Sequence, residues 1–462
     1  MVIATTPVHA TDTPLPQQLT NLDAGRLRAY REHLDFYEGR QWSETPRRRE
    51  RRLTFNYART VIEKTASYTM AGVSSAVDPA DASPGAAADA RRAEQALRDT
   101  YDDNALDQLD FDNEIDCSVL GDAAYKVTWD AAESRVRVSA PDVQGLYAWP
   151  IADDPSRLWR IASRYTLPAD EAEVLFETRP TPPGQANPPR RMTPRRSERG
   201  ERTVVEVWTD DTFELWLDNT LVESAANPYG FIPFVIYPNV REPKQFWGVS
   251  DLVAIKEPLR ELNRALTQLS TILELSGNPI AVLENVTEAQ DIAVQPGAVW
   301  EIPEKARAYL LDLLQGGGAG LHVEYAKLVL RTLHDLAEVP RSAFGESHQA
   351  LSGVALQLEL DPLLKKVARK RLIRGAALRR RNEMVLRILE QHTGESFAPY
   401  RSRIVWSPVL PQDRSRLVED ETRLVSAGIH SRRTAASLLD VADPDAEWQR
   451  WRDEESAQGG AR

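Results

Sequence analysis

Apolar residues recur every three or four positions in the first part of the chain, and every second position in the part that follows. The helical spacing covers 23–72, interrupted by the polar interval SETPRRRERRLTF, and it returns over 91–120, where Gly121 is a typical helix terminator. The two-residue spacing of AAYKVTWD and SRVRVSAP, joined by a short acidic turn, predicts a β-hairpin. Strands are also predicted in RLWRIASRYTL, RTVVEVWTDDTFELWLDNTLV and FIPFVIYPN. The first half is therefore predicted to be a mixed α+β domain.

The second half begins with a row of leucines at helical spacing. This row predicts a helix over 256–276, about 30 Å long, with Pro258 in its first turn, where proline is tolerated. Its apolar seam needs packing partners. The residues assigned to that packing are Leu259, Leu262, Leu266, Leu269 and Leu273.

A short β-rich unit follows the leucine helix. PIAVLENV and GAVWEIP are predicted strands, and KARAYLLDLLQ has helix-like spacing. GGGAG at 316–320 lacks the Lys-Ser/Thr of a phosphate-binding loop and is predicted to be a flexible turn. A helix is predicted in LHVEYAKLVLRTLHDLAEV, then a polar break in RSAFGESHQALSG, then one long helix over 354–392. A return strand in SRIVWSPVL and a helical region over 413–462 complete the chain.

Composition narrows the class of protein. Hydrophobic residues make up 42% and charged residues 27% of the 462 positions, and no run approaches the roughly 20 apolar residues that span a bilayer. No membrane partner is therefore expected. The single cysteine, Cys117, excludes an intrachain disulfide and is predicted to be a buried, inert thiol. A net charge of −12 argues against a protein that binds nucleic acid over its whole surface.

Basic residues are nevertheless concentrated in KKVARKRLIRGAALRRR, where 365–381 holds nine lysines or arginines and no acid. Apolar residues keep helical spacing through this run, which predicts an amphipathic helix with a cationic face. That face is either solvated, paired with acids of a neighbouring chain, or in contact with phosphates. The candidates for a DNA or intersubunit contact are Lys365, Lys366, Arg369, Lys370 and Arg371.

Two patterns that suggest catalysis are weak. Seven acids between Asp102 and Asp116 are spread around a predicted helix, which favours a solvated face over a site for a hard cation. Ser347 and His348 are adjacent in sequence, but a catalytic nucleophile needs a base within reach and a third group that orients it. Neither an enzymatic activity nor a cofactor or metal is expected.

The ordered segments resemble the portal proteins of tailed bacteriophages, of the siphovirus type. FYEGRQW and NYARTVIEKTASYTMAG are similar to the N-terminal signature of that family, and LGDAAYKVTWD to its wing hairpin. WGVSDLVAIKEPLRELNRALTQLSTILELSGNPIAVL resembles the first stem helix entering the clip. LSGVALQLEL is similar to the end of the tunnel loop, and GIHSRRTAASLLDV to the C-terminal crown.

The resemblance implies an α+β, multi-domain portal fold. It has a mixed α/β wing, a long helical stem, a small α/β clip and a helical C-terminal crown. The implied segments are a disordered tail 1–22, the wing 23–248 with a mobile Pro/Arg loop 178–202, stem helix one 249–276, the clip 277–318, stem helix two 319–338, the tunnel loop 339–353, the long wing helix with its return strand 354–412, and the crown 413–462.

The resemblance also implies a function. Family members form a ring, commonly of twelve subunits, at one capsid vertex of the virion, and they assemble in the host cytoplasm. Double-stranded DNA passes through the ring. The implied partners are the terminase large subunit, the head–tail adaptor, and the major capsid and scaffolding proteins. The residues expected to face DNA in the tunnel loop are Arg341, Ser342, Glu346, Ser347, His348 and Gln349.

Two alternatives stay open at this point. The chain could be another phage head protein that binds capsid or scaffold without enclosing a DNA channel. It could instead be a metal-dependent nuclease that uses the acids around Asp107 and Asp110.

Overall fold

The computed structural model describes residues 14–19, 21–42, 52–177, 200–277, 280–284, 307–311, 318–345, 353–410, 414–439, 441 and 447–452. The chain divides into two compact units, Met1–Val405 and Trp406–Arg462. Helices and antiparallel sheets both contribute to the first unit, so the predicted α+β class is confirmed.

Most of the helices and strands lie where the spacing of apolar residues predicts them. The principal helices are α1 (Leu15–Leu19), α2 (Ala24–Tyr37), α3 (Tyr57–Thr69), α4 (Pro84–Asp103), α5 (Leu106–Leu120), α6 (Ala169–Glu177), α7 (Lys256–Gly277), α8 (Gly318–Ala337), α9 (Gly353–Thr393), α10 (Arg414–Ser426) and α11 (Arg432–Leu438). The strands are β1 (Val73–Ala76), β2 (Asp122–Asp130), β3 (Arg135–Ser139), β4 (Leu146–Ile151), β5 (Asp154–Pro168), β6 (Glu201–Trp208), β7 (Thr212–Leu217), β8 (Thr220–Ala226), β9 (Phe234–Pro238), β10 (Ile280–Glu284), β11 (Arg307–Leu311) and β12 (Arg403–Trp406).

In the part of the chain that the structure describes, the strands form four sheets. A five-stranded antiparallel sheet has the order β4-β5-β6-β7-β8, and a three-stranded sheet has the order β3-β2-β9. β1 pairs with β12, and β10 pairs with β11. The predicted hairpin is confirmed, with Val127 opposite Val138, and so are the strands predicted in the first half.

The core of the first unit lies where α3, α5 and α9 pack on one another and on β2 and β9. Ile62 of α3, Cys117 of α5, Val127 of β2 and Val367 of α9 are fully buried there. The predicted burial of Cys117 is thus confirmed. Burial also raises the pKa of its thiol well above the usual range, which keeps the sulfur protonated and inert.

Local sequence sets the ends of these helices. Asn56 accepts a hydrogen bond from the backbone N–H of Arg59 and so caps α3. Ser83 caps α4 in the same way, and Pro84 occupies the first turn, where no intrahelical donor is needed. Pro258 lies in the first turn of α7, as predicted.

Two glycines bring the segment after β9 against the end of α5. Gly121 terminates α5 with φ +111°, and a Cβ atom there would meet the backbone of Ser250; a Cβ atom at Gly248 would meet the carbonyl of Gly121. The backbones can therefore approach directly. The N–H of Asp251 donates to the carbonyl of Ser118 at 3.0 Å, which fixes Asp251 beside the last turn of α5.

The single helix predicted over 91–120 is two helices. The chain turns at Asn104 and Ala105, and Ala105 has a left-handed backbone with φ +47°. The Asn104 side chain donates to the carbonyl of Val136 and accepts from the N–H of Val138, both at 2.9 Å. Because these bonds tie the turn to the edge of β3, tertiary contacts override the continuous helical spacing.

The prediction of a disordered tail over 1–22 is wrong for residues 14–19. α1 packs on the five-stranded sheet, where Leu19 is fully buried among Tyr147, Ala162, Val205 and Val207. Residues 1–13 lie outside the described part of the chain. The loop predicted over 178–202 also lies outside it, except for 200–202, where β6 begins at Glu201.

Two predictions around the β-rich unit are wrong. The helix-like segment KARAYLLDLLQ contains β11, whose pairing with β10 from Ile280–Leu311 to Glu284–Arg307 satisfies backbone groups that a helix would otherwise satisfy. The last three residues of GGGAG form the first turn of α8, not a flexible turn. The strand predicted in GAVWEIP lies outside the described residues.

The second unit contains α10 and α11, in agreement with the helical region predicted over 413–462. Ser431 caps α11 by accepting from the N–H of Thr434 at 3.0 Å. The His430 ring nitrogen lies 2.8 Å from the buried carboxylate of Glu421 and joins the end of one helix to the start of the next.

Candidate functional site

The nine basic residues of 365–381 divide by position on α9. Four are buried, namely Lys366, Lys370, Arg374 and Arg381. Four are exposed, namely Lys365, Arg369, Arg379 and Arg380. Arg371 is half-buried and donates to the carbonyls of Tyr68, Thr69 and Ala71, where α3 ends. The run is therefore not one solvated cationic face.

Three of the buried cations belong to an ionic cluster that we define as Glu114, Asp251, Lys366, Lys370 and Arg374. Arg374 donates to both carboxylate oxygens of Glu114, at 2.6 and 3.0 Å, and to the side-chain oxygen of Asn239 at 2.7 Å. Lys370 lies 2.7 Å from Asp251 and 3.4 Å from Glu114. The cluster joins α9 to α5 and to the segment that precedes α7.

The cluster keeps its carboxyl groups ionised. Burial by itself raises the pKa of Glu114, but Arg374 and Lys370 lower it by more, so the net pKa is below the ordinary value. Burial by itself also raises the pKa of Asp251. The ammonium groups of Lys366 and Lys370 lower that pKa by more, so the net pKa of Asp251 is below its ordinary value. Since buried charges are costly when unpaired, each member depends on the others.

Lys366, on α9, contacts both the end of α8 and the segment that leads into α7. Its ammonium group donates to the carbonyl of Ala337, the last residue of α8, at 2.9 Å, and lies 3.4 Å from Asp251, which precedes α7. A cation at a helix C-terminus interacts favourably with the unpaired carbonyls of the last turn. Both helices are therefore held to α9 through one side chain.

Arg381 and Asp110 form a second buried contact between α9 and α5. The guanidinium group is bidentate on the carboxylate, its Nη2 atom also lies 2.6 Å from the Tyr101 hydroxyl, and its charge lies over the Tyr125 ring. The predicted solvated acidic face is thus wrong for Asp110 and Glu114, which face inward. Asp102, Asp103, Asp107 and Asp112 are exposed.

These acids do not converge on a metal site. Asp110 and Glu114 each bind an arginine, whereas Asp107 and Asp112 face solvent. In the ranges that the structure describes, no group of three or more His, Cys, Asp or Glu side chains is arranged to hold a metal ion. No helix in those ranges is long and apolar enough to cross a bilayer.

α7 and α8 pack against each other, and the β10–β11 hairpin lies between them in the chain. We call this pair the helical hairpin. Leu259 and Leu262 are buried, Leu266 and Leu269 are half-buried, and Leu273 is 53% exposed. The leucine side chains therefore become more exposed to solvent toward the C-terminal end of α7.

The second helix of the helical hairpin, α8, has a row of exposed apolar side chains along one side. Leu321, Tyr325, Leu328 and Leu336 are spaced so that they lie on one side of α8, and all are exposed, Leu321 by 73%. Ala326, Val329 and Leu333 of α8 are buried, and the hydroxyl of the exposed Tyr325 donates to Glu261 of α7 at 3.0 Å. The described residues therefore leave this apolar row of α8 exposed.

The N-terminal part of the chain packs along α7. The N–H of Phe55 donates to the Asn263 side chain at 2.7 Å, and the N–H of Leu53 donates to the Thr267 hydroxyl at 3.1 Å. Trp42 contributes to an open cleft of about 670 Å³ that residues of α7 and α8 also line. The motifs FYEGRQW and NYARTVIEK are thus next to the helical hairpin.

The sequence as a whole matches one protein family. Residues 18–461 match the family described as "Phage portal protein, SPP1 Gp6-like". The chain belongs to the phage portal protein family. No curated protein sequence matches it. The resemblance found in the ordered motifs is confirmed at the level of the family, and this portal protein has a structural role in the phage head.

The described part of the predicted tunnel loop in this portal protein is anchored, not free. A 3-10 turn spans Arg341–Phe344 and ends at Gly345, which has φ +85°. The Phe344 ring meets the buried His334 ring edge-on at 5.7 Å, and His334 Nδ1 lies 2.8 Å from the carbonyl oxygen of Val339. The start of the segment is therefore fixed to the end of α8.

The residues predicted to face DNA in this portal protein are only partly described. Arg341 is exposed and Ser342 is half-buried. Glu346, Ser347, His348 and Gln349 lie outside the described residues. Whether these six side chains face DNA stays a prediction.

The candidates on α9 separate into two groups. Lys366 and Lys370 already have buried carboxylate partners in the same chain, and Arg371 binds backbone carbonyls. Lys365 and Arg369 keep their charged groups at the surface, in ion pairs with Asp361 and Glu338. A contact with DNA or with another subunit is therefore a prediction that the geometry favours for Lys365 and Arg369.

Proposed function

We propose that this protein forms a closed ring of twelve copies, the number common in its family, through which double-stranded DNA enters and leaves the phage head. The ring is of the siphovirus type and stands at one capsid vertex. The terminase large subunit docks there during packaging and the head–tail adaptor docks afterwards. Scaffolding and major capsid proteins contact it during assembly in the host cytoplasm.

One observation in particular supports the formation of a ring. The apolar row of α8, from Leu321 to Leu336, has no cover within the described chain, although burying such a row is a main source of favourable free energy. A neighbouring copy can cover it. Repeated head-to-tail contacts of this kind close into a ring when the rotation between copies permits.

The helical hairpin is the basis for assigning the stem, clip and tunnel-loop segments. α7 and α8 serve as the two stem helices, and β10 with β11 belongs to the clip, which faces the terminase and later the adaptor. Residues 339–353 serve as the tunnel loop. Each neutralised phosphate adds affinity for DNA, so a conduit benefits from an acidic protein whose lining binds DNA weakly.

The proposed role needs no catalytic step by this chain. The acids of α5 that a nuclease could use either bind arginine or face solvent, at Asp110 and Asp107 respectively. A conduit and docking platform is consistent with that arrangement.

Electron cryo-microscopy and native mass spectrometry of the purified protein test the proposal. The expected result is a closed ring with a channel wide enough for a DNA duplex. A ring or other assembly without such a channel supports the alternative, a head protein that binds capsid or scaffold only. A monomer under all conditions, including mixtures with scaffold and capsid proteins, contradicts the proposal.

A pair of substitutions tests the apolar row directly. Leu321→Lys with Leu328→Lys is expected to prevent ring formation without unfolding the chain, because both side chains are already exposed. Val222→Lys, at an exposed position of β8, is the matched control and is expected to form rings. Rings that form equally well in both variants would show that the row is not an interface.

A further inference from the structure

The short helix α1 covers only part of one face of the five-stranded sheet. It has five residues and is about 8 Å long, whereas the five strands span about 19 Å from β4 to β8. Leu15 and Leu19 pack on this face, as do Trp149 of β4 and Trp216 of β7. We call it the α1 face. Both tryptophans are half-buried, so the apolar surface continues beyond the helix.

Two tryptophans and an arginine lie together at the β4–β5 side of the α1 face. Arg160 is paired with Trp149 in the register of these strands, which places both side chains on this face. The guanidinium carbon of Arg160 lies 4.0 Å from the centroid of the Trp149 ring and 4.7 Å from that of the Trp159 ring. Trp159 is 46% exposed. We call these three residues the Trp–Arg cluster.

Arg160 is short of a hydrogen-bond acceptor. Its Nε atom is buried and has no hydrogen-bond partner among the described residues. Burial also lowers the pKa of its guanidinium group. Since a buried donor without a partner is unfavourable, an occupant of this surface should supply a carbonyl or carboxylate oxygen as well as apolar area. Tryptophan and arginine are also the residue types most often found at the centre of protein contacts.

The residues that precede α1 start from this surface. Leu15 begins α1 and packs against the same buried cluster as Trp149, and residues 1–13 come before it in the chain. Thirteen residues span about 43 Å when fully extended, which is more than twice the width of the sheet. The Trp–Arg cluster is therefore within their reach.

The composition of residues 1–13 suits the Trp–Arg cluster. MVIATTPVHATDT contains the apolar residues Val2, Ile3 and Val8, one acid, Asp12, and no lysine or arginine. The apolar side chains can cover the tryptophan rings, and a backbone carbonyl or Asp12 can accept from Arg160. Valine, isoleucine and threonine favour extended backbone, in which the carbonyls stay available to a neighbouring donor.

We propose that residues 1–13 lie across the Trp–Arg cluster of their own chain and cover it. The same chain is favoured over a second copy because Leu15 already holds the end of the segment on the α1 face. Such a tether gives an effective concentration in about the millimolar range, so even a weak contact is well occupied. The contact does not depend on the proposed ring, since all of its parts belong to one compact unit of one chain.

Hydroxyl-radical footprinting read by mass spectrometry tests this cover. Deletion of residues 2–12 leaves α1 in place. We expect it to raise the oxidation rate of Trp159 at least about threefold, as it should if a tethered segment occupies the cluster most of the time. Trp129, in the three-stranded sheet and stacked on His392, is the internal reference and should not change.

Paired substitutions separate the apolar side chains from the mere presence of the segment. Ile3→Ser with Val8→Ser is expected to give most of the increase that the deletion gives. Thr5→Ser with Thr6→Ser, in the same segment, is the matched control and should oxidise like the unaltered protein. If the deletion also raises oxidation of Trp129, the sheet has loosened, and the two serine pairs then decide the matter.

Cross-linking shows which chain supplies the segment. Val8→Cys is combined with Arg157→Cys, an exposed position beside the Trp–Arg cluster, and the native Cys117 is buried. A short bifunctional thiol reagent is expected to give a cross-linked monomer. Val8→Cys with Gln95→Cys, on the exposed side of α4, is the control and should cross-link far less.

Three results would overturn the proposal. Equal oxidation of Trp159 in the deletion variant and the unaltered protein would mean that residues 1–13 do not cover the cluster. Equal cross-linking of Val8→Cys to Arg157→Cys and to Gln95→Cys would mean that the segment has no preferred place. A covalent dimer in a mixture of the two single variants, Val8→Cys and Arg157→Cys, would assign the cover to a second copy. None of these readouts involves ring formation, so each leaves the proposed function intact.

Discussion

Arg374 and Glu114 lie 260 positions apart in the sequence and form a buried, bidentate ion pair, with Nε to Oε2 at 2.6 Å and Nη2 to Oε1 at 3.0 Å. Both side chains are almost completely excluded from solvent. The pair joins the long helix α9 to α5. It therefore fixes the scaffold from which the helical hairpin extends.

Removal of one partner from this pair should destabilise the first unit strongly. Glu114→Gln keeps the shape of the side chain but leaves the buried charge of Arg374 without its carboxylate, and leaves Lys370 with Asp251 as its remaining carboxylate partner in the cluster. We expect the free energy of unfolding to fall by about 3–5 kcal/mol, measured by denaturant titration. Asp112→Asn, on the exposed side of the same helix, should change it by less than about 0.5 kcal/mol. Equal losses in the two variants would show that the buried pair has no special role.

Acid should weaken the protein through Asp251. Its pKa is lowered in the folded state, so the stabilisation is fully present above the unfolded value of about 4 and is lost as pH falls below it. We expect the midpoint of denaturant unfolding to fall steeply below about pH 4. In Asp251→Asn the midpoint should be lower at neutral pH, and its slope against pH should be smaller. An unchanged slope would mean that other carboxyl groups govern the acid response.

Lys366 should control the order of the segment that ends α8. In Lys366→Met the carbonyl of Ala337 loses its donor, and a hydrogen bond from a charged group contributes roughly 1.5–3 kcal/mol. We expect amide hydrogen exchange over 334–345 to become about tenfold faster or more. Lys365→Met, one residue away and exposed, is the matched control and should exchange like the unaltered protein. Identical traces for both variants would contradict the connection.

The polar segment after the anchored turn should matter for DNA and not for assembly. Deletion of 346–351 spares Phe344, which holds the turn on His334. We expect rings of normal mass in native mass spectrometry, together with impaired DNA packaging or retention in particles. A Gly/Ser segment of equal length in the same place separates the need for length from the need for particular side chains. Loss of the ring on deletion would assign the segment a structural role.

Much of the fold could be predicted because its apolar spacing is locally consistent. The β2–β3 hairpin, the helix α7 with Pro258 in its first turn, and the long helix α9 all follow from periodicity. The break at Asn104 could not be predicted, since it depends on hydrogen bonds to β3. The residues of β11 are compatible with both the helical and the strand spacing of apolar positions, so the sequence alone favours a helix there and only the pairing with β10 decides for a strand.

The ionic cluster was only half visible in the sequence. Lys366, Lys370 and Arg374 recur every four residues and lie on the same side of α9 as Leu363 and Val367, which indicates burial. The four-residue spacing therefore distinguishes these three buried cations from the exposed cations of the same run. The partners Glu114 and Asp251 could not be identified, because nothing in local spacing connects residues so distant in the chain.

The position of Lys366 has a mechanical consequence. One side chain holds the end of α8 and the residue that leads into α7, and it does so from a helix of 41 residues that runs through the core. A load applied along the helical hairpin is thereby carried into α9 at the hairpin's base, without passing through a connecting loop. Lys366 thus gives the hairpin and the long helix a direct mechanical connection, in addition to the chain segment that joins α8 to α9.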